Sequence, residues 1–134
     1  MLYAMFMMVL LTFIVGLFTV SVRFSNVKKG NVKARFFTLM QGQEVPEIVT
    51  KTTRNFNNQF EIPVLFYVIT SLYLMFDLGN DTTALIFAWL FVILRYCHAY
   101  IHITYNHVLH RMLIFFAAFF CVLAMWVNLL ILKS

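Results

Sequence analysis

The chain has 134 residues, 63% of them hydrophobic and only 11% charged, with a mean hydropathy of +0.87. That balance excludes a soluble globular domain, which needs far more polar surface at this size. The formal net charge of +5 is gathered mainly between the first two apolar runs, so it reads as a topology signal that also attracts anionic head groups rather than as a nucleic-acid footprint.

Four apolar runs are visible, at 2–22, 62–76, 84–94 extended to about 105, and 112–132. A span needs about 20 apolar residues. Runs one and four meet this alone. Runs two and three meet it when their polar ends, 54–61 and 95–105, are counted as helix inside the protein. The expectation is therefore an all-α integral membrane protein, one four-helix domain over 1–134 with up-down topology.

The first predicted helix, about 2–22, lacks a basic start and is followed by no small-residue cleavage site, so it reads as a retained helix rather than a signal peptide. It offers no chemistry. The segment 23–50 is the longest polar stretch and holds Arg23, Lys28, Lys29, Lys33 and Arg35, with Lys51 just beyond it. Asp77 and Asp81 occupy the next connection, which has no base. The positive-inside rule then puts loops one and three in the cytoplasm. Arg23, Lys28 and Lys29 are also candidates to hold a ligand's carboxylates.

The second predicted helix runs from about 47 to 76, starting at Glu44-Val45-Pro46-Glu47, where acids suit the helix dipole. Pro63 lies inside it and is expected to bend it. Arg54, Asn58 and Glu61 fall at i, i+4 and i+7 and so share one face of a continuous helix. Charged groups at membrane depth are costly, which makes this stripe a candidate functional site. Glu61 is expected to form a structural ion pair with Arg95. A turn at Asp77-Leu78-Gly79-Asn80-Asp81 follows, with Asp81 or Thr82 capping the next helix.

The third predicted helix, about 82–105, carries two polar stripes. His98 and His102 fall on the wheel near Arg95. Tyr96 and Tyr100 fall together about 100–140° round, with His107 and Arg111 joining them if the helix continued. The phenol pair suits either a site or an interfacial anchor. His98, His102, His107 and His110 could supply edges of a metal site, but no carboxylate or thiolate completes a set and HExxH is absent. Cys97 and Cys121 show neither disulfide nor zinc spacing, and Cys97 reads as a small buried hydrophobe rather than a nucleophile. The fourth predicted helix, about 111–132, has Asn128 as its one polar interior group, and Ala117-Ala118 permits close approach.

With these residues in place the chain resembles the MAPEG family (membrane-associated proteins in eicosanoid and glutathione metabolism), in particular its bacterial branch. Arg54, Asn58 and Glu61 match the family's R-x3-N-x2-E. Arg95, Tyr96 and Tyr100 match the R-Y-x3-Y of one branch, and Arg95 with His98 matches the R-x2-H of another. Arg111 falls at the spacing of the family's catalytic arginine. The resemblance implies a homotrimer in the bacterial inner membrane, with glutathione as co-substrate held between subunits near the cytoplasmic face. It implies that Arg54, Asn58, Glu61, Arg95, Tyr96, Tyr100 and His107 contact glutathione, and that Arg111 activates the thiol. The implied activity is that of a glutathione transferase or peroxidase on lipophilic electrophiles or hydroperoxides. A non-catalytic lipid-binding or scaffold member is the alternative, and a histidine-based metal or proton-handling protein is a third. His102 and Ile62 stand where family enzymes carry tyrosine, and His107 competes with Arg111 for the thiol.

Overall fold

The computed structural model describes residues 1–134 and is entirely helical. Its elements are α1 (Leu2–Lys28), α2 (Phe36–Leu39), α3 (Glu47–Asn57), a 3-10 turn (Asn58–Phe60), α4 (Ile62–Met75), α5 (Thr82–Ile103) and α6 (Val108–Lys133). Three helices, α1, α5 and α6, are long and apolar enough to cross a membrane. Within their most apolar windows only 22%, 44% and 28% of residues are buried inside the chain, so most of that surface faces outward, as expected of helices meeting lipid or another protein.

The second predicted helix is not continuous. It breaks at Asn58–Glu61, and Glu61 adopts φ −97°, ψ −105°, outside the helical region. The cause is Pro63. A proline inside a helix has no N–H for the carbonyl four residues back, here Gln59, and its ring crowds that carbonyl. In the first turn of a new helix the missing N–H costs nothing. The chain takes that option, and α4 restarts at Ile62 with Pro63 in its first turn. At 14 residues, α4 is about 21 Å long, shorter than a span by itself.

Other boundaries follow from local chemistry. Pro46 precedes α3, with Glu47 in its first turn. The Asp81 carboxylate accepts from the Ala84 N–H at 2.8 Å and so caps α5, as its sequence suggests. At the other end, α1 runs six residues beyond its apolar stretch to Lys28, and there the Asn26 side chain donates to the Val22 carbonyl at 2.8 Å.

The core lies where α1, α4, α5 and α6 meet. Phe66 and Phe91 stack at 4.4 Å between α4 and α5. Ala84 and Ala88 of α5 and Ala118 of α6 are fully buried, and these small side chains let the α5–α6 hairpin close tightly. On α1, a Cβ at Gly16 would stand 3.2 Å from the Phe56 ring, so α3 approaches α1 where there is no side chain to keep it away.

Candidate functional site

Arg95 is the largest fully buried side chain in the protein. Its Nη2 donates to the Asn58 carbonyl at 2.6 Å, while Nε and Nη1 are buried without partners. The helix break at 58–61 is what turns that carbonyl toward α5. The break also undoes one expectation. Glu61 is exposed and acts on Arg95 only through space, and the one ion pair within 4.0 Å joins Glu47 to Lys51 at 2.9 Å. The Glu61–Arg95 pair assumed an unbroken wheel, and the backbone at Glu61 takes its carboxylate off that stripe.

Around Arg95 lies a buried polar cluster. His98 and His102, one turn apart on α5, are 2% and 0% exposed, and their rings meet edge to face with centroids 5.8 Å apart. From α3 and the 3-10 turn come Asn55 and Gln59, also buried. Asn55 Nδ2 donates to the Ala99 carbonyl at 3.4 Å, and Gln59 Nε2 donates to the Asn55 carbonyl at 3.1 Å. Their side-chain oxygens have no donor, and neither do His98 Nδ1 or the two ring nitrogens of His102 have a partner. Buried polar atoms are rarely left unpaired. A concentration of free donors beside free acceptors is suited to a polar guest carrying both. No group of three or more His, Cys, Asp or Glu side chains converges to hold a metal ion.

The cluster opens to the surface through a cleft of about 190 Å³ lined by Asn58, His98, Val108, Arg111, Met112 and Phe115. Arg111 sits in the first turn of α6. Its Nη1 donates to Asn106 Oδ1 at 2.8 Å, which fixes the guanidinium, while Nε is buried and free. Asn106 holds φ at +51° in the short α5–α6 connection, a left-handed conformation that asparagine tolerates. Arg111 is the one cation lining the cleft, and Arg54 and Arg95 act with it through space on His102.

Of the residues singled out in the sequence, Asn58, His98 and Arg111 meet in this cleft, with Arg95 directly behind it. Others do not join them within one subunit. Tyr96 and Tyr100 share a helical face, yet the Tyr96 hydroxyl donates to the Met7 carbonyl of α1 at 2.9 Å, whereas Tyr100 is 67% exposed. α1 covers one phenol and not the other. Arg54 and Glu61 are exposed. His107 is exposed and lies against His110 with ring centroids 4.6 Å apart and planes tilted by 44°, and Tyr105 Oη lies 3.3 Å from His110 Nδ1. Asn55, Gln59 and Asn106 were not singled out. A signal for the first two was present: Val49, Thr52, Asn55, Phe56 and Gln59 recur at three- and four-residue spacing, the inward stripe of α3 and the 3-10 turn that continues it.

The family model described as the MAPEG family matches residues 1–131. No curated protein and no solved structure matches the chain.

Proposed function

The chain belongs to the MAPEG family, which includes glutathione transferases and peroxidases among other members, and from that premise we propose that it is a membrane-bound glutathione-dependent transferase or peroxidase acting on lipophilic electrophiles or hydroperoxides. The observation that carries the reading is the cleft itself: a guanidinium fixed by Asn106 faces Asn58 and His98, with unpaired buried donors and acceptors behind it. Those groups fit a zwitterionic tripeptide. The Arg95 Nε and Nη1 donors suit a carboxylate, and the Asn55 and Gln59 side-chain oxygens suit an ammonium or amide N–H.

When bound, glutathione supplies a thiol as nucleophile or reductant. Arg111 is the catalytic residue in this reading. A cation within about 4–6 Å favours the charged form of a thiol, and the thiolate is the reactive species. Asn106 keeps the guanidinium in place, so it need not reorganise as charge develops on sulfur. The apolar wall of Val108, Met112 and Phe115 admits an apolar co-substrate from the membrane and keeps water from the sulfur. Arg54, Glu61, Tyr96, Tyr100 and His107 lie outside this cleft in one subunit. In a homotrimer, the exposed ones among them are available to complete the cleft of a neighbour. In this reading the basic end, with 23–46 and the α5–α6 connection, faces the cytoplasm of a bacterial inner membrane.

The test is turnover. Purified protein in detergent is expected to conjugate glutathione to a simple aryl halide or to reduce an organic hydroperoxide, with a rate that saturates in glutathione. Glutathione binding with no rate for either substrate class would favour the non-catalytic, lipid-binding alternative.

A further inference from the structure

A second feature of the basic end stands apart from the cleft. The cytoplasm-proximal part of α1 and the segment around α2 enclose a groove of about 340 Å³ lined by Val20, Arg23, Phe24, Val27, Ala34 and Phe37. Five of those six are apolar. The sixth, Arg23, is pinned from two directions: Nη2 donates to Thr53 Oγ1 at 3.1 Å, and the guanidinium carbon lies 5.3 Å from the Phe37 ring centroid. Its Nε is buried and has no partner, and Arg23 makes no ion pair. Between residues 23 and 43 the chain carries Arg23, Lys28, Lys29, Lys33 and Arg35 and no carboxylate, the first acid being Glu44. Val20 and Phe24 are exposed on the outer face of α1, so the groove is continuous with surface that meets lipid.

We propose that this groove is a binding site for one anionic phospholipid, with Arg23 holding the phosphate and the apolar walls holding the start of an acyl chain. The chemistry demands both halves. The Arg23 guanidinium lines the groove, is already oriented by Thr53 and Phe37, and has no carboxylate competing for it, which suits a phosphodiester. The walls give a soluble anion nothing, because inorganic phosphate or a small peptide would lose hydration against Val20, Phe24 and Val27 without compensation. A zwitterionic lipid would fill the groove equally well, but its cationic head would lie beside Arg23 with no carboxylate lining the groove to receive it.

Native mass spectrometry of the full-length protein titrated with phosphatidylglycerol or phosphatidylcholine tests this. Wild type is expected to retain phosphatidylglycerol at least tenfold more strongly. Arg23→Gln is expected to lower that retention to the phosphatidylcholine level. Ala34→Trp, which fills the groove and leaves every charge in place, is expected to do the same. A Lys28→Ala, Lys29→Ala double variant is expected to reduce it less than twofold. Equal retention of the two lipids by wild type would overturn the proposal. So would full retention by Ala34→Trp, or a loss in the double lysine variant as large as in Arg23→Gln, since either result means diffuse attraction to a basic loop. Displacement of the lipid by inorganic phosphate at equal concentration would instead identify a soluble-anion site and also overturn it.

Discussion

The two ends of the helix assembly use polar groups in opposite ways. At the acidic-turn end, Asn128 Nδ2 donates to the Tyr73 hydroxyl and to Asp81 Oδ1, both at 2.9 Å, Tyr73 donates onward to the Met125 carbonyl at 2.9 Å, and Asp81 also caps α5. Each member of that network has a partner within the chain. At the basic end, nine buried side-chain atoms of Arg23, Asn55, Gln59, Arg95, His98, His102 and Arg111 have none. A closed network fixes α4, α5 and α6 together, and it has no capacity left for a ligand. The open one stabilises less and keeps hydrogen-bonding capacity for something outside the chain.

Substitutions at the two ends should therefore separate stability from binding. The largest effect is expected from Arg111→Ala, which removes the charge facing the thiol: kcat/KM for conjugation should fall about 10²–10³-fold, with little change in thermal stability. Arg95→Ala should cost about 3 kcal/mol of stability in detergent, through a lost charged hydrogen bond and a core cavity. Arg95→Met fills the same space without a charge to bury and should recover more than half of that loss. Both Arg95 variants should lose glutathione binding, measured by calorimetry. Retained binding in Arg95→Met would make Arg95 a purely structural residue.

At the closed end, Asn128→Leu should lower stability by about 1–2 kcal/mol and leave glutathione affinity unchanged. A drop in affinity would show the two ends to be coupled. The smallest effect is expected from Tyr96→Phe, which loses one hydrogen bond to a helical carbonyl, about 0.5–1 kcal/mol. A marked loss of glutathione affinity there would place Tyr96 in the cleft after all.

Sequence pattern reached the long elements and the chemistry of the open end, but not its geometry. α1, α5 and α6 are written in run length and hydropathy, and the cap at Asp81 in its residue type. The break at 58–61 is hidden because Pro63 suits either a kinked helix or the first turn of a new one, and only packing decides. From that one ambiguity came the expected Glu61–Arg95 pair. Tyr96 and Tyr100 share a wheel position, and no periodicity says that α1 will cover just one of them. Asn106 anchors Arg111 from a connection whose left-handed turn has no strong sequence mark when asparagine rather than glycine supplies it.

Positive charge at the Asn58–His98–Arg111 cleft should lower the cost of ionising a bound thiol. Titrating the purified protein with glutathione near neutral pH, while following the ultraviolet absorbance of the thiolate, tests it most directly. A saturable thiolate signal is expected in wild type and is absent in Arg111→Ala. A wild-type titration with no thiolate signal, or an equal signal in the variant, would contradict it.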